Sequence, residues 1–139
     1  MKTYETQIEI SAPIDQVWQI LTQEMPKAPA PFGILRLEGE IAQRAKIKLW
    51  SEVAPKRAFI LRVEVFDAPR KMVWRGGMPF GLFTGQRTFT LTLNQKECVF
   101  HMREDFTGIL SGMITKSMPD LTPSFIKFAN TLKSMAEKR

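Results

Sequence analysis

Apolar and polar residues alternate at every second position along most of this chain, and the period lengthens to that of a helix mainly near its two ends. From Thr3 to Ile10, Tyr4, Thr6, Ile8 and Ile10 fall on one side and Glu5, Gln7 and Glu9 on the other, the pattern of a half-buried strand. Ser11 is placed to cap a helix and Pro13 suits its first turn; Ile14, Val17, Trp18 and Leu21 then share one face. That helix ends before Pro26, because Met25 to Pro31 carries three prolines and reads as a rigid loop. At the other end, Leu121, Phe125, Phe128, Leu132 and Met135 recur on one face of a helix over Thr122–Lys138, with Thr122 as cap and Pro123 at its first position. A single apolar face after a run of strands needs a sheet to cover.

The strands lie between. Leu35, Leu37, Gly39 and Ile41 alternate with Arg36, Glu38 and Glu40, and Ala45, Ile47 and Leu49 with Lys46, Lys48 and Trp50. Ala58–Phe66 and Lys71–Arg75 give two more, parted by a turn at Asp67-Ala68-Pro69. Arg75–Gly85 holds four glycines and Pro79, too many for a regular element, and reads as a mobile or tightly bent loop. Phe89, Leu91 and Leu93 alternate with Thr88, Thr90 and Thr92; Asn94–Glu97 is a turn, and Cys98–Phe106 is the last strand. Ile109–Ser117 reads as helical and Pro119 breaks it. The expectation is one α+β domain, residues 1–139: a curved antiparallel sheet of about seven strands wrapped around the closing helix, with room for a pocket between them.

Composition narrows the function classes. At 139 residues the chain is long enough for one core without a metal or disulfide staple. The hydrophobic share of 44% and charged share of 24% are those of a globular protein. Cys98 is the only cysteine, which rules out an internal disulfide and reads as a small strand residue. The first residues lack the apolar core of a secretory signal, and no stretch reaches the roughly 18 apolar residues of a membrane span, so the expected setting is cytoplasmic. Net charge is +6, but the basic residues are dispersed and alternate with apolar ones, as on a solvated strand face. Nucleic acid is therefore not the expected partner.

Three blocks of residues resemble one superfamily. Ile10-Ser11-Ala12-Pro13-Ile14-Asp15-Gln16-Val17-Trp18 is similar to the opening of START-like, or SRPBCC, domains. Gly85–Leu91 with Glu104-Asp105-Phe106-Thr107-Gly108 resembles the last two strands of the polyketide cyclase/dehydrase and lipid-transport-like members, and Leu132–Glu137 their final helix. The resemblance implies the helix-grip fold and a deep hydrophobic cavity between sheet and helix. It spans carriers, aromatic polyketide cyclases, oxygenase domains and chaperone co-factors, so it carries fold more than function. The oxygenase branch needs two histidines and a carboxylate around iron; His101 is the only histidine here, and that branch is excluded. No Cys/His metal spacing, Ser-His-Asp set or paired carboxylate signature appears, and no cofactor is expected.

The candidate residues follow from parity. Cys98, Phe100, Met102, Glu104 and Phe106 share one side of the last strand. Facing a cavity, Glu104 would sit in low dielectric and could act as acid/base or orient a polar ligand. The competing reading is a structural carboxylate held by an arginine or backbone, which its place at the strand-to-helix corner favours. Met72, Trp74, Phe83, Phe89, Leu91, Phe100 and Met102, with Phe125 and Phe128 from the helix, are the expected ligand-lining set. The same residues would serve as plain core. Eight methionines, Met72, Met78 and Met102 among them, suit an adaptable pocket. Phe80, Leu82 and Phe83 are apolar tips of a possible gate, and Arg75 is a candidate polar anchor beside Glu104. His101, of opposite parity, is expected to face solvent.

Three functions stay open: a carrier of a small hydrophobic molecule (lipid, polyketide-like aromatic or isoprenoid), a cyclase- or dehydratase-like enzyme using Glu104 in the same cavity, and a protein-interaction module with a filled interior. Whether the chain is an enzyme is undecided by the residues alone.

Overall fold

The computed structural model describes residues 1–139. In chain order its elements are β1 (Lys2–Ile10), α1 (Ile14–Gln19), β2 (Ile34–Glu38), β3 (Lys46–Ser51), β4 (Ala54–Asp67), β5 (Lys71–Gly77), β6 (Thr84–Asn94), β7 (Glu97–Thr107), α2 (Ser111–Lys116) and α3 (Thr122–Glu137). The turns of α1 widen into π-helical form over Ile20–Glu24. The strands form one antiparallel sheet in the order β1-β7-β6-β5-β4-β3-β2, so the first strand closes against the last. α3 lies in the concave side of this curled sheet and buries Phe125, Phe128, Ala129, Leu132 and Ala136 there. Each fully buried large side chain of that face contributes about 1.5–3 kcal/mol relative to exposure.

Several local readings are corrected. Pro13, not Ser11, occupies the cap of α1, its carbonyl accepting from Gln16 and Val17 N–H at 3.1 Å each. Ser11 is drawn instead to Glu97 and Glu137. For α3, Asp120 accepts the Thr122 N–H at 2.9 Å, so the cap lies upstream of Thr122. β2 begins at Ile34, and an irregularity between Ile34 and Arg36 turns Ile34 inward and leaves Leu35 50% exposed. Met135 is half-buried, and the adjacent Ala136 takes the core position.

The glycine-rich stretch is a tight hairpin. Gly76 pairs with Gly85 and Gly77 with Thr84, and a 3-10 turn at Pro79–Gly81 closes it. It is anchored from outside: Leu110 N–H donates to Leu82 O at 2.9 Å, and Gly108 adopts φ +110° so that backbone can pass directly beneath the turn. The far end of α3 is fastened to the N-terminal elements. Gln16 Nε2 donates to Ala136 O at 2.7 Å and Lys133 Nζ to Glu9 O at 2.7 Å.

Candidate functional site

Antiparallel register assembles a polar row on the concave face. Tyr4 of β1 stands opposite Glu104 of β7, Glu104 opposite Arg87 of β6, Arg87 opposite Trp74 of β5, and Trp74 opposite Val63 of β4. The central residues of the neighbouring rows on this face carry no polar side chain, so Tyr4, Glu104, Arg87 and Trp74 are where sheet and helix enclose polar atoms. Arg87 donates Nε and Nη2 to Oε1 of Glu104, at 3.0 and 2.6 Å. Both partners are charged and their side chains only 21% and 14% exposed, so these are strong, charge-assisted bonds. The guanidinium also lies 4.8 Å from the ring centroid of Phe125, which α3 lowers onto it, and Phe125 meets Tyr4 at 6.4 Å.

Two features of the row are unsatisfied. Oε2 of Glu104 accepts no hydrogen bond from the protein, since both Arg87 donors converge on Oε1. Trp74 is 1% exposed and its Nε1–H is buried without an acceptor. A buried donor left unpaired costs about 1–3 kcal/mol, so its retention calls for an explanation. The next row toward the hairpin has no side chains at its centre: Phe106 faces Gly85, which faces Gly76. A Cβ on Gly85 would come 3.2 Å from Glu104 Oε2 and from the Phe106 ring, so the missing side chain is what keeps that oxygen approachable. Phe83 borders the gap, stacked on Phe106 at 5.5 Å and 11°.

Of the expected lining residues, the structure brings Trp74, Phe83, Glu104 and Phe125 around this row. The other six, Met72, Phe89, Leu91, Phe100, Met102 and Phe128, are at most 2% exposed and pack on one another behind it. Phe128 sits 5.0 Å from Phe32 and 6.0 Å from both Phe89 and Phe100, and Trp74 lies 4.6 Å from Phe89. The broad pocket expected in that region is occupied by these side chains. An open concavity of about 650 Å³ lies instead on the outer side of α3, between Pro31, Ile126, Asn130 and Met135, away from the polar row.

The expected anchor Arg75 is corrected: it neighbours Trp74 in β5, points to the opposite face and is exposed. Arg87 is the arginine in the site, and its signal was its parity with Phe89 and Leu91. His101 lies on the outer face, its Nε2 3.3 Å from Glu5. Cys98 is fully buried, and burial pushes its thiol up to about 11, with the Glu97 carboxylate adding to the rise. Phe80, at the hairpin tip, is 99% exposed and touches neither row. No three His, Cys, Asp or Glu side chains gather to hold a metal ion, and no helix is long and apolar enough to cross a membrane.

No protein-family model matches the chain, and no curated protein is similar to it in sequence. Solved structures do match. Protein MLL2253 from Mesorhizobium loti superposes with a TM-score of 0.75 at 15% identity, covering 99% of this chain and 98% of the other. The Zhui aromatase/cyclase from Streptomyces sp. R1128 gives 0.75 at 17% identity over 99% and 94%. Truncated norcoclaurine synthase from Thalictrum flavum gives 0.72 at 12% identity over 99% and 94%. Near-complete coverage in both directions at these identities marks a shared fold: the chain has the helix-grip fold of these proteins.

Proposed function

We propose that this protein binds one small, largely apolar molecule that carries an acceptor oxygen, seated against the polar row beneath the N-terminal half of α3. The observation that carries this reading is the buried Nε1–H of Trp74, which has no acceptor in the protein, on a residue that stands opposite Arg87 in the β5–β6 ladder. A carbonyl, phenolate or carboxylate oxygen would complete the indole donor and lie within the field of the guanidinium, while the ligand's apolar body replaces water against Phe83, Phe106 and Phe125. Likeness to an aromatase/cyclase and to norcoclaurine synthase supports an oxygenated aromatic or polyketide-like ligand, ahead of a lipid or isoprenoid. The six core residues behind the row serve as its floor.

A second reading is catalysis at the same place, and a specific feature favours it. Glu104 Oε2 is unengaged beside Gly85. Arg87 pins the carboxylate through Oε1 alone, and the free oxygen suits a general base that takes a proton from a bound ligand. The test is native mass spectrometry of gently purified protein, with identification of any released molecule, followed by binding to a panel of aromatic ketones and phenols. Wild-type binding at one-to-one stoichiometry that weakens in Trp74→Phe supports the site. Glu104→Gln then divides the readings, since a carrier keeps most of its binding and an enzyme loses turnover. A clean apo mass with no binding across the panel would leave the protein-interaction module with a filled interior as the better account.

A further inference from the structure

The outer face of the sheet is electrostatically divided. At the β1–β7 end charges of opposite sign are matched: Glu5 stands opposite Arg103 and reaches both His101 and Arg103, while Asp105 holds Arg103 at 3.0 Å and the Thr3 hydroxyl at 2.7 Å. At the β3–β5 end they are not. Lys46 stands opposite Arg62, and Arg62 opposite Arg75, three cations side by side across three strands. Lys48, two residues along β3, stands between Ile60 of β4 and Glu38 of β2, whose carboxylate is engaged by Arg36. All four cations are exposed, and none forms a salt bridge. Like charges directly opposite in a ladder are destabilising, and the same face shows that this sheet can intersperse acids where stability is served.

An apolar element lies among these cations. Ile60 is 55% exposed, and Trp50 is half-buried on the same side of β3, where Trp18 and Trp74 are buried. The Trp50 ring already carries the Arg36 guanidinium at 5.4 Å, which leaves it poorly placed to stack on a nucleobase. A phosphate backbone offers nothing to Ile60. A layer of anionic lipid headgroups over acyl chains accepts both the cations and the apolar side chain, and it suits a broad outward-curved face without a groove. We infer that the β3–β5 outer face is a peripheral docking surface for anionic membranes. This is independent of the ligand site on the concave side, so either can fail alone.

The test is flotation of the full chain with neutral phosphatidylcholine vesicles and with vesicles containing about 30% phosphatidylglycerol, at low and high salt. Wild type is expected on the anionic vesicles at low salt only, with a blue shift of the Trp50 emission. Each cation near such a surface is worth about five-fold in affinity, so Arg62→Gln with Arg75→Gln should lose about 25-fold. Lys46→Gln with Lys48→Gln should behave alike. Lys96→Gln with Lys116→Gln, which removes the same charge from exposed sites elsewhere, should lose far less. An equal loss in that last pair, binding to neutral vesicles, or no binding to anionic ones would overturn the inference. So would an oligonucleotide bound more tightly than the vesicles with the same dependence on Arg62 and Arg75.

Discussion

Arg87 and Glu104 meet through one oxygen: Nε and Nη2 of the arginine converge on Oε1 at 3.0 and 2.6 Å, and Oε2 is left over. A part-buried pair of this kind is costly to break and cheap to replace whole. Glu104→Gln leaves the guanidinium without its counter-ion and should lower the unfolding free energy by about 2–3 kcal/mol. Arg87→Met combined with Glu104→Leu should return to within about 1 kcal/mol of wild type, while losing ligand affinity. Urea titration of wild type, Arg87→Met, Glu104→Leu and the double variant gives the coupling directly. Single losses that simply add would show that the pair does not interact in solution.

The pair was legible before any coordinates. The two-residue turn after Asn94 fixes the β6–β7 register, and stepping back evenly along both strands sets Arg87 opposite Glu104. Arg87 also shares the parity of Phe89 and Leu91 and so must face inward. Arg75 follows Trp74 directly and therefore cannot share its face; the proximity of its number to the apolar run hid this. What the pattern does not carry is distance between layers. Periodicity places Phe89, Phe100 and Phe128 toward one another, but whether a ligand or their own rings fill the space depends on how closely α3 approaches. That distance is set by ties such as Gln16 to Ala136, between residues far apart in the chain. The irregularity in β2 that turns Leu35 outward has no local signal either.

Two glycines should respond oppositely to alanine. At Gly108, φ is +110° and a Cβ would lie 2.5 Å from Leu82 O and 2.6 Å from Gly81 O, so Gly108→Ala should destabilise by about 2–4 kcal/mol and loosen the β5–β6 hairpin tip. At Gly85 the backbone is ordinary and the nearest atoms are side chains at 3.2 Å, so stability should change by less than about 1 kcal/mol. Ligand affinity should nevertheless fall in Gly85→Ala, because the methyl group covers Glu104 Oε2. Thermal unfolding and binding measured on the same samples separate the two effects.

Cys98 should be silent until the protein opens. Its side chain is fully buried and its thiol is raised to about 11, first by burial and then by Glu97. The thiolate is the form that attacks a thiol reagent near neutral pH, so native protein should react about two orders of magnitude or more slower than urea-unfolded protein. Rapid native labelling would mean that the β6–β7 hairpin end opens readily.

The acid limb of the stability curve should bear the marks of α3's two ends. At its start, the backbone N–H of Thr122, then its hydroxyl, holds the Asp120 carboxyl below its usual range. At its finish, the Lys133 ammonium, then the Ser11 N–H, does the same for Glu137. A carboxyl depressed in the folded state favours folding above its unfolded value of about 4, and that contribution disappears as pH falls through the lower, folded value. These two contributions should therefore fade below about pH 4 and be gone once both groups are protonated. Asp120→Asn keeps an acceptor for the Thr122 N–H without a titrating proton. It should match wild type near neutrality and show a shallower decline in acid, as read from urea midpoints taken across the acid range. An unchanged slope would mean that the Asp120 cap does not form in solution and that α3 is held by its buried face and its far end alone.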